Sequence, residues 1–109
     1  MTTITIYKSD QGSYKGFTCK GHAGFADSGN DIVCAAISML VTNTINSIEE
    51  LLREEVQVKD DEITGYIDCR FPNDISEHAE LLIDSMILGL DTIVKEYGKK
   101  YLRLRFKEV

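Results

Sequence analysis

A run of apolar residues at helical spacing in the middle of the chain restricts the fold more than any other feature. From Val33 onward, apolar side chains recur every three or four positions, and Asn30 or Asp31 stands where a side chain caps the first turn. A second run of the same kind follows Pro72 and ends at Gly98. The pattern predicts two amphipathic helices. Their apolar positions are Val33, Ala36, Ile37, Leu40, Val41, Ile45, Ile48 and Leu52 in the first, and Ile75, Ala79, Leu82, Ile83, Met86, Leu90, Ile93, Val94 and Tyr97 in the second.

Short stretches of alternating apolar and polar residues flank both helices. Residues 3–6 and 17–20 predict a β-hairpin before the first helix, residues 56–71 a second hairpin that turns at 60–62, and residues 101–106 a last strand with one basic face. The order is ββαββαβ. It predicts an α+β fold, a single two-layer domain over residues 1–109 in which both helices pack on one face of a mostly antiparallel sheet.

Length and charge exclude several classes of function. A chain of 109 residues with 43% hydrophobic content is expected to form one domain, and no stretch reads as apolar for long enough to span a bilayer. Residues 1–7 lack the basic start and apolar run of a secretory signal, so the expected location is the cytoplasm. The net charge of −6 argues against nonspecific binding of nucleic acid and permits attraction to a basic partner.

The cysteines and histidines predict a free thiol rather than a metal site. Cys19, Cys34 and Cys69 make an odd number with no CxxC pair, which disfavours a disulfide framework and a zinc knuckle. Cys19 and Cys69 lie on the apolar faces of predicted strands, and His78 lies on the exposed side of the second helix. We therefore expect no metal and no cofactor.

The stretch from Gly21 to Ser38 contains a candidate base and a candidate nucleophile. His22 follows a predicted strand, and Cys34 lies in the first turn of a helix, at the margin of its buried stripe, where the thiol is partly exposed. The unpaired N–H groups of a helix start favour a thiolate, and an imidazole can take the thiol proton and later protonate a leaving amine. Free N–H groups around residues 32–35 are also candidate donors to an oxyanion. This combination is typical of a cysteine hydrolase.

A non-catalytic interpretation of the same residues is also available. A cysteine beside Ala35 and Ala36 is often a small core residue, and a histidine among glycines is often part of a loop. On spacing alone, Cys34 and His22 do not decide between the two interpretations.

The residues around the candidate pair resemble the signature of the ribosomal-processing cysteine protease family, Prp. The chain reads Gly21-His22-Ala23-Gly24, then Asp31-Ile32-Val33-Cys34-Ala35-Ala36, then Ser38. The resemblance implies that Cys34 is the nucleophile and His22 the general acid/base of a dyad. It also implies a peptide substrate, the precursor of the large-subunit ribosomal protein numbered twenty-seven, whose short N-terminal extension is removed by a cut after an aromatic residue.

Further residues near the pair are candidates for binding substrate or supporting the site. Asp31 either orients His22 or caps the helix, and Ser38 either bonds the substrate or returns its hydrogen bond to the helix backbone. Phe25 either packs on an aromatic substrate side chain or belongs to the core. The loop over 23–30 is expected to close over the substrate, because it contains Gly24, Gly29 and the turn formers Asp27, Ser28 and Asn30. The candidates are Gly21, Ala23, Gly24, Phe25, Asp31 and Ser38.

Two other functions compete with a peptidase, and one surface predicts self-association. A non-catalytic ribosome-assembly factor would bind the same basic protein without needing Cys34 or His22, and a thiol redox protein would need a second thiol within reach. Leu81, Ile87 and Leu88 form a second apolar edge on the second helix. That edge suits a homodimer, which the resemblance also implies.

Overall fold

The computed structural model describes residues 1–27 and 29–109, so the predicted turn former Ser28 lies outside the described residues. The elements follow the predicted order ββαββαβ. A single π-helical turn, Ser47–Leu51, prolongs the first helix. The elements are β1 (Thr2–Lys8), β2 (Tyr14–Lys20), α1 (Ile32–Asn46), β3 (Gln57–Asp61), β4 (Tyr66–Arg70), α2 (Glu77–Tyr97) and β5 (Leu102–Glu108).

The five strands form one sheet in the order β3-β4-β2-β1-β5. Every neighbouring pair is antiparallel except β1 and β5, which run parallel because α2 carries the chain across the sheet between β4 and β5. The predicted α+β architecture, with two helices on a mostly antiparallel sheet, is confirmed. The strand order was not predicted.

Both helices pack their apolar stripes on one face of the sheet. Ile4, Ile6 and Phe17 from the sheet are fully buried against these stripes. The alternate residues Thr3, Thr5 and Thr18 lie on the opposite face and are partly exposed. The buried apolar positions of the helices are Val33, Ile37, Val41 and Ile45 in α1 and Ala79, Ile83, Met86, Leu90 and Ile93 in α2.

Two element boundaries differ from the sequence prediction. The helix expected after Pro72 begins at Glu77, because Ser76 is its N-cap and accepts a hydrogen bond from the Ala79 N–H at 3.1 Å. The second hairpin turns at 62–65 rather than 60–62, since Asp61 pairs with Tyr66 across the sheet. The later turn brings residues 62–65 to the end of the sheet where β2 also ends.

One helical stretch has the length and composition of a membrane span. Residues Ile32–Leu51 number 20 and have a mean hydropathy of 1.4. We expected no stretch to be long and apolar enough to span a bilayer, and by length and mean hydropathy this prediction was wrong. A core helix of a globular protein meets both criteria as well, and the apolar stripe of α1 belongs to the core shared with the sheet.

Candidate active site

Gly21 directs the chain from β2 into the site. Its φ of 88° lies in the left-handed region, and a Cβ at this position would lie 2.8 Å from the Met1 carbonyl oxygen. The Gly21 N–H donates to the Gly65 carbonyl at 3.0 Å, and its own carbonyl accepts from Thr2 Oγ1 at 3.1 Å. The backbone before His22 is thus held by β1 on one side and by the β3–β4 turn on the other.

Asp31 sets the start of α1. Its Oδ1 accepts the Cys34 N–H at 2.8 Å, and its backbone carbonyl accepts the Ala35 N–H at 3.0 Å. Its Oδ2 accepts the Phe25 N–H at 3.0 Å, which ties the loop after His22 to the helix start. Of the two roles considered for Asp31, the structure shows the helix cap. The carboxylate contacts backbone N–H groups, and the ring of His22 has other neighbours.

The structure brings the thiol of Cys34 and the imidazole of His22 together. Cys34 Sγ lies 4.0 Å from His22 Nδ1, at the long end of the range for a hydrogen bond to sulfur. Cys34 is partly exposed, as its position at the margin of the α1 stripe predicted. Catalytic hydrogen bonds in ligand-free sites are often this long and shorten when substrate binds.

The second ring nitrogen of His22 faces a backbone group. His22 Nε2 lies 3.2 Å from the carbonyl oxygen of Ile63, in the β3–β4 turn. The sequence analysis missed this contact, because every residue has a carbonyl and no pattern of side chains marks the one that is used. Gly65, four residues after the turn-forming Asp61, was a sequence sign that the turn extends beyond 60–62, and its φ of 66° in the structure agrees with that sign.

Two clefts meet at the Cys34–His22 pair. One has a volume of about 560 Å³ and the other of about 350 Å³, both within the usual range for ligand sites. His22, Cys34 and Ser38 border both clefts. An extended peptide that crosses the pair would therefore have room on either side of Cys34 Sγ.

The other two thiols are buried and hard to ionise. Burial raises the pKa of the Cys19 thiol to about 11, with a further contribution from Cys34. Burial raises the pKa of Cys69 to about 12, with smaller contributions from neighbouring carboxylates. Both cysteines lie in the core as predicted. Cys19 also borders the smaller cleft, so it is both a core residue and a neighbour of the site.

Asp31 is held in its charged form by the backbone. Burial acts to raise its pKa, but N–H groups that include those of Cys34 and Phe25 outweigh that effect, and the pKa lies below its ordinary value. These hydrogen bonds also correct the expectation that the N–H groups at the start of α1 are free to bind an oxyanion. The N–H groups of Cys34 and Ala35 already donate to Asp31, so neither is free to receive an oxyanion without breaking the cap.

The remaining candidates occupy different environments. Ala23 is 2% exposed and packs in the core, and Gly24 has a φ of 77°. Phe25 is 39% exposed and packs edge-to-face on Tyr97 and Tyr101, with ring centroids 5.7 Å and 5.2 Å away. It therefore lies outside the buried core, although it is packed on other rings.

Ser38 lies one turn after Cys34 and is exposed to the clefts. Thr44 and Thr92 donate hydrogen bonds to the carbonyls of Leu40 and Leu88 in their own helices. Among the residues that the structure describes, Ser38 makes no such bond to its helix backbone. Its hydroxyl is therefore available to a bound molecule. Within the same described residues, His, Cys, Asp and Glu form no group of three that could hold a metal ion.

Comparison with known proteins identifies the family. The chain matches the family described as Cysteine protease Prp over residues 1–102. It is 34% identical over 101 residues to the ribosomal processing cysteine protease Prp of Bacillus subtilis (strain 168), and the match covers 89% of this chain and 90% of that protein.

Solved structures share both sequence and fold with the chain. An essential ribosomal processing protease Prp from Staphylococcus aureus, in complex with a covalently linked product peptide, is 31% identical with a TM-score of 0.91. The complex of that protease with a substrate peptide is 30% identical with a TM-score of 0.86. Each match covers 98% of this chain and 100% of the other. The sequence, the arrangement of elements and the paired thiol and imidazole lead to one conclusion: this chain belongs to the Prp family of ribosomal-processing cysteine proteases.

Proposed function

We propose that this cysteine protease cuts its substrate with a dyad of Cys34 and His22. The observation that carries the proposal is the 4.0 Å approach of Cys34 Sγ to His22 Nδ1 at the junction of two clefts. Cys34 also lies in the first turn of α1, where its thiol is partly exposed and can be reached by a substrate. Cys19 and Cys69 are buried and lack an imidazole neighbour of this kind among the described residues.

The reaction follows from this geometry. His22 Nδ1 takes the proton of the thiol, and Cys34 Sγ forms a bond to the carbonyl carbon of the scissile peptide. The carbon–nitrogen bond then breaks, and the imidazolium gives its proton to the leaving amine. Water hydrolyses the thioester with His22 as the base, and the free thiol is restored. The reaction uses no metal or other cofactor.

The substrate we propose is the precursor of the large-subunit ribosomal protein numbered twenty-seven, cut after an aromatic residue near its N-terminus. The Staphylococcus aureus relative is a ribosomal processing protease that was solved with substrate and product peptides, which supports a peptide of this class. The net charge of −6 suits a basic substrate, and the exposed edge of Phe25 offers a surface for an aromatic side chain. The reaction needs no nucleic acid, and we place it in the cytoplasm with ribosome assembly.

The proposal includes a homodimer. Leu81 and Leu88 are 64% and 68% exposed and, at seven residues apart, lie on the same outward side of α2. Two copies that met along this side would cover both leucines.

Cleavage assays with matched variants test the dyad. The protein is incubated with the extended precursor and with the mature-length ribosomal protein, and the products are weighed by mass spectrometry. We expect removal of the extension, with Cys34→Ala and His22→Ala each lowering the rate by at least about a thousandfold while the circular dichroism spectrum is unchanged. Cleavage that survives both substitutions would show that other residues catalyse it, and binding of the precursor with no cleavage by any variant would indicate the non-catalytic assembly factor instead.

Alkylation gives an independent measurement. Iodoacetamide should modify Cys34 well before Cys19 and Cys69, because those two are 6% and 0% exposed and have raised pKa values. Peptide mapping after short exposure reads out the order. Equal rates at the three thiols would contradict the assignment.

A further inference from the structure

The β3–β4 turn makes a contact that the dyad alone does not explain. The carbonyl of Ile63 lies 3.2 Å from His22 Nε2, while the Ile63 side chain is 89% exposed and points away into solvent. The residue therefore contributes to the site through its backbone alone.

This contact decides which nitrogen of His22 is the base. A carbonyl oxygen only accepts hydrogen bonds, so the nitrogen that faces it carries the proton. With the proton on Nε2, the neutral ring has its lone pair on Nδ1, the nitrogen that faces Cys34 Sγ at 4.0 Å. The opposite tautomer would put a proton on Nδ1, toward the thiol, so that nitrogen could not accept the thiol proton.

The turn is built so that this carbonyl is held in place. Asp61 Oδ1 accepts the N–H groups of Ile63 at 3.0 Å and Thr64 at 3.4 Å, so the last residue of β3 holds the turn that follows it. The Gly65 carbonyl accepts the Gly21 N–H at 3.0 Å, which joins the turn to the backbone that carries His22.

The turn also limits where the imidazole can go. Gly65 has a φ of 66°, and a Cβ there would lie 3.0 Å from His22 Cε1 and 3.0 Å from the Gly21 carbonyl oxygen. The ring thus lies against the bare backbone of Gly65, with one nitrogen toward Ile63 and the other toward Cys34.

We infer that the β3–β4 turn is the third part of the catalytic apparatus, with the Ile63 carbonyl fixing the tautomer and orientation of His22 and Asp61 acting as the positioning residue that holds the turn. The inference rests on the proposed dyad and adds to it the group that makes Nδ1 the base. When the imidazolium forms, the same carbonyl still accepts its Nε2–H, so the ring keeps its orientation.

A series of substitutions at Asp61 tests the inference. Asp61→Ala removes the acceptor that holds the turn, and we expect kcat to fall about 10- to 100-fold with KM little changed, by analogy with the loss of a hydrogen-bond partner that orients a metal-bound histidine. Asp61→Asn keeps an oxygen at the same place, so it should restore most of the activity. Asp10→Ala is the matched control, since Asp10 is an exposed aspartate in the β1–β2 turn at the opposite end of the sheet.

The tautomer is measured directly by nitrogen-15 NMR of histidine-labelled protein. Above the pH at which the ring becomes neutral, His22 should carry its proton on Nε2 in the unsubstituted protein and in Asp61→Asn, and should become a mixture of tautomers in Asp61→Ala. His78 is the one other histidine in the chain and serves as an internal reference. Gly65→Ala, which crowds the ring itself, should shift the His22 signals further.

The outcomes separate this inference from the dyad. If Asp61→Ala cuts as fast as the unsubstituted protein and keeps His22 protonated on Nε2, the positioning role is wrong while the dyad stands. If Asp61→Asn loses as much activity as Asp61→Ala, the charge of Asp61 acts on the ring and the turn geometry does not. The NMR signals report the tautomer whether or not Cys34→Ala abolishes cleavage, so failure of the dyad would be seen separately.

Discussion

At the scale of single residues, Asp31 links the nucleophile to the loop that borders it. One carboxylate oxygen caps α1 at the Cys34 N–H, and the other accepts the Phe25 N–H. The residue thus fixes both the helix turn that presents the thiol and the backbone that leads away from His22. The Asp31 side chain therefore positions both the first turn of α1 and the loop after His22, and its loss should disturb both.

We predict that Asp31→Ala lowers the free energy of unfolding by about 1 kcal/mol, the usual cost of losing an N-cap. Asp31→Asn should cost much less, because asparagine is an equally good cap. Urea denaturation of the two variants beside the unsubstituted protein measures the difference. Equal losses in both variants would show that the charge matters more than the cap.

The difference in stability between the unsubstituted protein and Asp31→Asn depends on pH in a defined direction. The pKa of Asp31 is lower in the folded protein than its ordinary value of 3.8, so the charged carboxylate stabilises the fold at pH values above 3.8. That contribution is lost as the pH falls through the lowered folded-state pKa. The stability advantage over Asp31→Asn should therefore be constant near neutral pH and shrink in acid, and denaturation midpoints from pH 7 downward check this.

At the scale of elements, the loop after His22 is packed on the far end of the chain. Phe25 contacts Tyr97 at the end of α2 and Tyr101 just before β5. These edge-to-face pairs hold residues 23–27 beside the larger cleft. The closure of this loop over a peptide remains a prediction, and these contacts are what closure would have to rearrange.

We predict that Phe25→Ala speeds hydrogen exchange of the amides in residues 23–27 by roughly tenfold, since each aromatic pair contributes about 0.5–1.5 kcal/mol. Phe106→Ala is the control, because Phe106 is 56% exposed on β5. A substrate peptide that cannot be cut should slow exchange of the same amides in the unsubstituted protein. Exchange that the peptide leaves unchanged would remove the idea of loop closure.

Elements were predictable from sequence where their signals are local. The apolar stripe that begins at Val33 and the caps around Asp31 and Gly98 depend on residues that are close together in the sequence. Both helices and their order were therefore predicted. The strand order and the true position of the β3–β4 turn depend on pairing between residues far apart in the chain, such as Asp61 with Tyr66. No local pattern encodes such pairing.

At the scale of the whole molecule, the two sides of α2 differ in their exposure to solvent. One side is buried on the sheet, and the outward side presents Leu81 and Leu88 among charged residues. Leu81 and Leu88 are two helical turns apart, so a partner that packs along this side could cover both at once. The outward side of α2 is therefore the surface on which the proposed homodimer depends.

We predict that Leu88→Glu shifts the protein from dimer to monomer, because a carboxylate would be buried against an apolar surface. Val109→Glu is the control, since Val109 is a similarly exposed apolar residue near the C-terminal end of β5. Sedimentation velocity over a range of concentrations measures the effect. A monomer in the unsubstituted protein, or a dimer in Leu88→Glu, would contradict the proposed surface.

The use of a main-chain oxygen at position 63 affects how this part of the site can be found from the sequence. Any amino acid except proline would supply both this oxygen and the N–H that Asp61 accepts, so mutation of that side chain need leave no trace in the chemistry. A search for a polar side chain that contacts His22 Nε2 would miss this group, because the oxygen belongs to the backbone. The sequence marks this partner of the imidazole only through the turn that carries it, which has an aspartate before the carbonyl and a glycine after it.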